Sequence, residues 1–301
     1  MKVFIIGSKG FIGSNLKSYF EKLNFPVWSA DVVTDYAEDA RYSVIDATNA
    51  DYKTVFSQYT FDVCINCSGA AIVPDSLKNP HRDYILNTAN VFKILEAIRV
   101  NQPTCKFINL SSAAVYGNPE QLPILENSKT WPVSPYGFHK LMSEKICEEF
   151  FRFFQIPTCS LRIFSAFGEG LKKQLFWDLF SKTKSPEKIM LYGNGLESRD
   201  FIYIEDLLYV IHLVVENGEF KGDSINVGNG EEVFIKDCVK LYYGLFDREI
   251  PYQFSGEVRQ GDPNNWVANI DKIEKIGYKQ RFTLEEGLIR YYQWISKVDK
   301  E

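Results

Sequence analysis

In the stretch SPYGFHKLMSEK, Tyr136 and Lys140 stand four residues apart, so a helix beginning near Tyr136 carries both on one face. A free tyrosine, with a pKa near about 10, is a poor base at neutral pH. A neighbouring ammonium and the positive end of a helix both favour the phenolate, at about 1.4 kcal/mol for each unit of pKa. Tyr136 in that setting is expected to take a proton from a hydroxyl while hydride leaves the same carbon. Lys140 is expected also to hold the ribose of the hydride acceptor. Y-x-x-x-K by itself recurs as an exposed helix pair; NLSSAAVYG upstream, at the end of another strand, sharpens it. There Ser112 is placed to donate a hydrogen bond to the substrate oxygen and hold a forming carbonyl. The plainer role for Ser111 and Ser112 is to cap the turn after the strand.

A second constellation lies at the start of the chain. Gly7, Gly10 and Gly13 follow the apolar run VFIIG and precede a helix that opens near Phe11 and Ile12. Glycines there let the backbone turn tightly and approach a pyrophosphate, whose charge then meets the helix N-terminus. The spacing is G-x-x-G-x-x-G, not the general G-x-G-x-x-G, so it is the strand before and the helix after that carry the dinucleotide reading. Asp31 closes the next strand, PVWSAD, about 20 residues on, where a carboxylate accepts from ribose hydroxyls and repels a 2′-phosphate. That favours NAD over NADP. Lys9, inside the glycine loop, is the one residue that pulls toward an extra phosphate.

These groups need a scaffold. Short apolar runs (KVFIIG, PVWSAD, FDVCINC, KFINLS, TCSLRIF) alternate with helical stretches such as SNLKSYFEKL and VFKILEAIRV. The alternation predicts repeated βαβ units and a parallel sheet covered on both faces, a doubly wound α/β fold of Rossmann type. After Phe164 charges, prolines and aromatics dominate. The expected division is a dinucleotide-binding domain over 1–165, to which 199–228 returns, and a smaller substrate domain from 166–198 and 229–301.

The bulk composition excludes several classes. With 301 residues, 45% hydrophobic and 24% charged, the chain reads as an ordinary globular protein. A net charge of -5 argues against nucleic acid, whose binders need a basic surface. No apolar run reaches membrane-spanning length, and MKVFIIGSKG is too short and glycine-broken for a signal peptide. The six cysteines show no disulfide framework. Cys64 and Cys67 lie on one strand three residues apart, facing opposite ways, so no shared metal is expected. The cytoplasm is the expected compartment.

Together the residues resemble the extended short-chain dehydrogenases, the NAD-dependent epimerase/dehydratases. The resemblance covers nearly the whole chain: GSKGFIG at 7–13, Asp31, the turn at 46–47, NCSGAA at 66–71, SSAAVYG at 111–117, Tyr136 and Lys140, LRIFSAFG at 161–168, RDFIYIEDL at 199–207, and RQGDPNNWVANIDKIEKIGY at 259–278. It implies that Asp46 and Ala47 meet the adenine. Ala70 and Asn87 would line the nicotinamide side and Phe164 would pack near that ring. Ser112, Tyr136 and Lys140 would form the catalytic triad. Arg199 and Arg259 would clamp a substrate diphosphate, with Ser165 beside the substrate; a planar guanidinium binds phosphate oxygens in pairs.

The departures are informative. Family dehydratases resemble T-D-E-V-Y-G at the serine motif; Ala113 and Ala114 stand at the acid pair, which argues against 4,6-dehydration. Family 4-epimerases often carry asparagine after R-x-F, where this chain has Ser165. Cys67 is assigned to packing, and His139 is expected to face away from the Tyr136/Lys140 stripe. The leading expectation is a nucleotide-diphosphate-sugar 4-epimerase working through a 4-keto sugar. A 4-ketoreductase that consumes reduced cofactor is the alternative, and a non-enzymatic dinucleotide sensor the remote one. The family also implies a homodimer through helices near 90–100 and 140–155. The loops at Lys172, Lys173, Gln174 and Tyr192 would choose the sugar and base.

Overall fold

The computed structural model describes residues 1–37, 40–46, 49–185, 188–257, 261 and 263–299. Six segments form the strands β1 (Val3–Ile6), β2 (Val27–Asp31), β3 (Tyr42–Val44), β4 (Val63–Asn66), β5 (Lys106–Ser112) and β6 (Thr158–Ile163). A seventh strand, Lys221–Val227, arrives much later in the chain and pairs with β6. From one edge the order is Lys221–Val227, β6, β5, β4, β1, β2, β3, and every pairing is parallel.

Parallel strands joined by helical crossovers are covered on both faces, and the side-chain alternation shows it. Val3, Ile5, Val63, Ile65 and Ile108 enter one core with Leu16 and Phe20. Phe4, Ile6, Cys64 and Phe107 enter the other with Ile94 and Ile98 of the helix Asn90–Asn101. Cys64 belongs to the second core while Cys67 packs against the first, the opposed facing expected of C-x-x-C on a strand. All six cysteines are free thiols, and no group of three metal-ligating residues occurs among the described residues.

The first core continues without a break into the C-terminal part, through Phe176, Phe201, Tyr203, Tyr242 and Tyr291. Ser165–Phe167 pairs in parallel with Phe201–Tyr203, and Ser198–Arg199 pairs antiparallel with Val233–Phe234. The helix Ile204–Asn217 lies against α1 (Phe11–Lys22), where Tyr19 Oη meets His212 Nδ1 at 3.1 Å. No helix among the described residues is long and apolar enough to cross a membrane.

What the fold positions is one crevice. Strand order reverses beside β1, which has β2 on one side and β4 on the other. Crossovers leave from there in opposite directions, so the ends of β1 and β4 open a cleft. Gly7 follows β1, and the loop Cys67–Ala70 follows β4.

Candidate active site

The glycine loop is shaped by backbone contact. Gly7 adopts φ +83°, and a Cβ on it would stand 2.6 Å from the amide nitrogen of Ser68. A Cβ on Gly13 would stand 2.1 Å from the carbonyl oxygen of Gly7. No side chain fits at either position, so strand, loop and helix close up directly. Gly10 is the N-cap of α1, with no side-chain cap and no acidic residue in the first turn. The amides at Phe11 and Ile12 therefore open a helix end suited to an anion.

Asp31 accepts the amide of Lys9 at 2.8 Å on Oδ2 and that of Val32 at 2.7 Å on Oδ1. A carboxylate has about four lone-pair sites, so it keeps acceptor capacity for a diol. The Lys9 ammonium is engaged with Asp35 Oδ2 at 2.7 Å, which satisfies the cation that had pulled toward a 2′-phosphate. Asp46 Oδ1 accepts the amide of Asn49 at 2.8 Å; Ala47 lies outside the described residues. Asn87, 1% exposed, has neither its amide nitrogen nor its oxygen hydrogen-bonded. It faces Gly69 so closely that a Cβ there would meet Asn87 Oδ1 at 2.4 Å. A buried amide without partners beside a glycine cradle fits a polar cofactor edge, and Ala70 follows in the same loop.

Tyr136 and Lys140 sit on the helix Pro135–Phe154, which Ser134 caps by accepting the amide of Gly137. Both are buried and face the end of β5. Lys140 Nζ donates to the carbonyl of Leu110 at 2.8 Å, and lies 6.0 Å from the Tyr136 ring centre. Ser112 ends β5 beside Tyr136, whose ionised form its hydroxyl favours, and its Oγ accepts the amide of Ala114. Serine, tyrosine and lysine thus converge as the sequence indicates.

Their electrostatics differ from the expectation. Burial pushes the Tyr136 phenol up to about 12, against the hydrogen bond from Ser112 and with the Asp83 carboxylate acting in the same direction as burial. Burial also brings the Lys140 ammonium down to about 8, opposed by Asp83, Cys67 and Glu144. Burial therefore works against the phenolate and against the ammonium alike, and the ammonium is directed at a backbone carbonyl.

Several groups behind the site escaped the sequence reading. Ser111 Oγ donates to Glu144 Oε1 at 2.5 Å, and Glu144 pairs with Arg162 Nη2 at 2.7 Å. Arg162 Nη1 also donates to Tyr116 Oη at 2.8 Å, which donates to Asn226 at 2.6 Å. This buried chain joins β5, the Tyr136/Lys140 helix, β6 and the strand Lys221–Val227. Its sequence signal was one arginine inside TCSLRIF and a glutamate one turn beyond Lys140. Asp200 is a second such anchor: it accepts the amides of Asn229, Gly230 and Ala268 at 2.7, 2.9 and 3.0 Å. Burial raises its carboxyl to about 6 against those three donors.

On the far wall, Phe164 is buried and lies edge-on to Trp266, with ring centres 6.2 Å apart. The Arg199 guanidinium lies 5.6 Å from the same indole, and Trp266 Nε1 donates to Gly117. Ser165 donates its amide to the Asp200 carbonyl. Phe164, Ser165 and Arg199 therefore share one wall, with Trp266 as the piece not foreseen. Arg259 lies outside the described residues. Gly261, two positions on, approaches Val73 and Ser134, near the N-terminus of the Tyr136 helix.

A parallel sheet of this order, with a glycine loop at its switch point and serine, tyrosine and lysine at the crevice, defines the extended short-chain dehydrogenase class. The sequence pattern of the NAD dependent epimerase/dehydratase family matches residues 3–228. The chain belongs to that family of enzymes. It is 28% identical to the UDP-glucose 4-epimerase of Lacticaseibacillus casei, over 94% of this chain and 92% of the other. The solved structure of UDP-glucuronic acid 4-epimerase from Bacillus cereus, in complex with UDP-glucuronic acid and NAD, superposes with a TM-score of 0.89. It is 25% identical, over 99% of this chain and all of the other. The UDP-N-acetylglucosamine 4-epimerase from Methanobrevibacter ruminantium, in complex with UDP-N-acetylmuramic acid, has a TM-score of 0.88 at 25% identity, over 99% and 98% of the two chains.

Proposed function

We propose that this protein inverts C4 of a nucleotide-diphosphate sugar, using NAD that is reduced and reoxidised within one turnover. The observation that carries the reading is the buried Tyr136 phenol, held by Ser112 beside the Lys140 ammonium at the cleft below the glycine loop. Gly7, Gly10, Gly13 and the first turn at Phe11 and Ile12 would hold the dinucleotide phosphates, and Asp31 the adenosine ribose. Asp46 and Ala47 would meet the adenine, Lys140 the nicotinamide ribose, and Ala70, Asn87 and Phe164 the nicotinamide side. When bound, the oxidised nicotinamide takes up and returns hydride, and its positive charge acts on the nearby phenol in the direction that favours ionisation.

Tyr136, once ionised, takes the proton of the sugar O4 hydroxyl as hydride leaves C4, and a 4-keto sugar forms. Ser112 donates to the ketone oxygen through the change of face. Hydride then adds from the opposite side, Tyr136 returns the proton to O4, and the balance closes with no net redox change. Arg199, Arg259 and Ser165 would hold the diphosphate and sugar. Residues 1–165 with 199–228 would carry the dinucleotide, and 166–198 with 229–301 the sugar nucleotide. The engaged Lys9 and the open acceptor sites of Asp31 favour the recycled NAD of an epimerase over the consumed cofactor of a ketoreductase. The UDP-sugar 4-epimerases among its relatives support the same choice.

A homodimer is the proposed assembly. The helices Asn90–Asn101 and Pro135–Phe154 expose the large apolar side chains Phe92, Met142 and Phe153, which is apolar surface that association would cover. Six unpaired thiols fit a reducing compartment such as the cytoplasm. The test is incubation with a panel of sugar nucleotides, with and without added NADH, after the bound dinucleotide has been identified by absorbance. An inverted C4 with cofactor unchanged is the expected result. Stoichiometric loss of NADH on a 4-keto sugar would identify the reductase instead.

A further inference from the structure

Trp266 takes no part in the reaction above, yet it joins two parts of the cleft. The residue is half-buried, and its segment is fastened at several points. Its Nε1 donates to the Gly117 carbonyl at 2.9 Å, and its backbone amide donates to the Ser198 carbonyl at 3.2 Å. One residue on, the Val267 carbonyl accepts the amide of Ile124 at 2.7 Å. Gly117 sits where no side chain fits: at φ +64°, a Cβ would stand 2.1 Å from the Trp131 carbonyl oxygen. It closes the motif SSAAVYG that begins at Ser111. The indole is therefore tied by its nitrogen to the loop that follows Ser112.

Its ring face meets Arg199. The guanidinium carbon lies over the indole at 5.6 Å, within the range where a cation is drawn to an aromatic face, tryptophan's most strongly. Arg199 Nη1 also donates to the Ser198 carbonyl at 2.8 Å and to the Asn264 carbonyl at 3.1 Å. The Ser198 oxygen thus accepts from Trp266 and Arg199 at once, so the two residues are joined twice. The ring fixes where the cation sits, and the two carbonyls fix how its plane is turned. Phe164, edge-on with ring centres 6.2 Å apart, packs against the indole. We infer that Trp266 is a positioning residue: its indole holds the Arg199 guanidinium ready for the diphosphate of the sugar nucleotide. A long side chain loses rotamer freedom when it grips a phosphate; one already held loses less, and the difference appears as affinity. The inference rests on the diphosphate role proposed for Arg199, and its test separates the two.

The test is calorimetric titration of the NAD-saturated, full-length protein with UDP, dTDP, GDP and CDP, the tightest of which serves for the variants. Arg199→Ala should weaken its binding about tenfold or more. Trp266→Leu should weaken it about fivefold, as should Trp266→Met, a second ring-free variant in case the first does not fold. Trp266→Phe keeps a ring under the cation and should recover most of that loss. NAD affinity should stay within about twofold of the wild type in all of them, as for a distant site. The double variant decides whether Trp266 works through Arg199: added to Arg199→Ala, the Trp266→Leu change should have no further effect. Wild-type nucleotide affinity in the ring-free variants, a Trp266→Phe variant no better than Trp266→Leu, or the full loss repeated in the Arg199→Ala background overturns the inference. If Arg199→Ala alone leaves nucleotide affinity unchanged, or none of these nucleotides binds the wild type, the diphosphate role of Arg199 falls and the inference falls with it.

Discussion

The ammonium of Lys140 donates to the carbonyl oxygen of Leu110 at 2.8 Å and so fastens the Tyr136 helix to the strand that ends in Ser112. This bond sets the geometry of the centre, but the buried charge that makes it weakens the fold. Lys140, lowered from 10.5 to about 8 by burial, binds its proton less tightly folded than unfolded. Its cost is therefore complete below pH 8 and is relieved as pH rises toward 10.5, on the order of 3 kcal/mol in all.

Lys140→Met should accordingly abolish turnover while raising stability at pH 7 by about 1–2 kcal/mol, the loss of one hydrogen bond offsetting part of the relief. Denaturant unfolding at pH 7 and pH 9 checks it. The difference between variant and wild type should shrink at the higher pH; an equal difference at both would contradict the buried-charge account.

Tyr136→Phe removes a single oxygen from a packed ring. Turnover should fall about 10³-fold or more, within the usual span for a positioned acid–base group, with KM for the sugar nucleotide changed less than about threefold. Steady-state kinetics on a folded variant would decide, and a loss under tenfold would remove Tyr136 from the proton transfer.

Asp31→Ala deletes the acceptor of two loop amides and of the proposed ribose bonds. NAD should bind about tenfold or more weakly, since a charged hydrogen bond is worth about 1.5–3 kcal/mol. NADP should lose much less, because the repulsion of its 2′-phosphate is lifted. Calorimetric titration with both dinucleotides measures the ratio.

Glu144→Gln strands Arg162 in a buried site, where the two side chains are only 5% and 8% exposed. Breaking such a pair costs about 3–5 kcal/mol. Glu148→Gln, which breaks the exposed pairs to Lys145 and Arg152 on the same helix, should cost under about 1 kcal/mol. Paired urea denaturation curves test the contrast.

Features set by local pattern were legible in the chain. The five apolar runs became β1, β2, β4, β5 and β6, with Gly7 and Gly10 between the first strand and its helix and Gly13 in that helix's first turn. Tyr42–Val44 was not read, because a three-residue, partly exposed strand leaves no apolar run. The burial of Tyr136 and Lys140 was not legible for a different reason. Spacing reveals which groups meet, whereas burial is decided by segments far away in sequence. Glu144, Arg162, Asp83 and Asp200 escaped on the same ground: a charge in a string of letters looks solvated until its partner is found.

The strand Lys221–Val227 has a consequence for how the molecule is made. It closes the edge of a sheet whose other members are all synthesised by residue 163. Until it emerges from the ribosome, β6, buried along its whole length in the finished protein, is a bare strand edge able to recruit strands from other chains. The nascent chain up to β6 should therefore need a chaperone's shelter for roughly the time taken to translate the next 60 residues, some seconds at cellular rates. Truncations ending near residue 200 should collect in inclusion bodies.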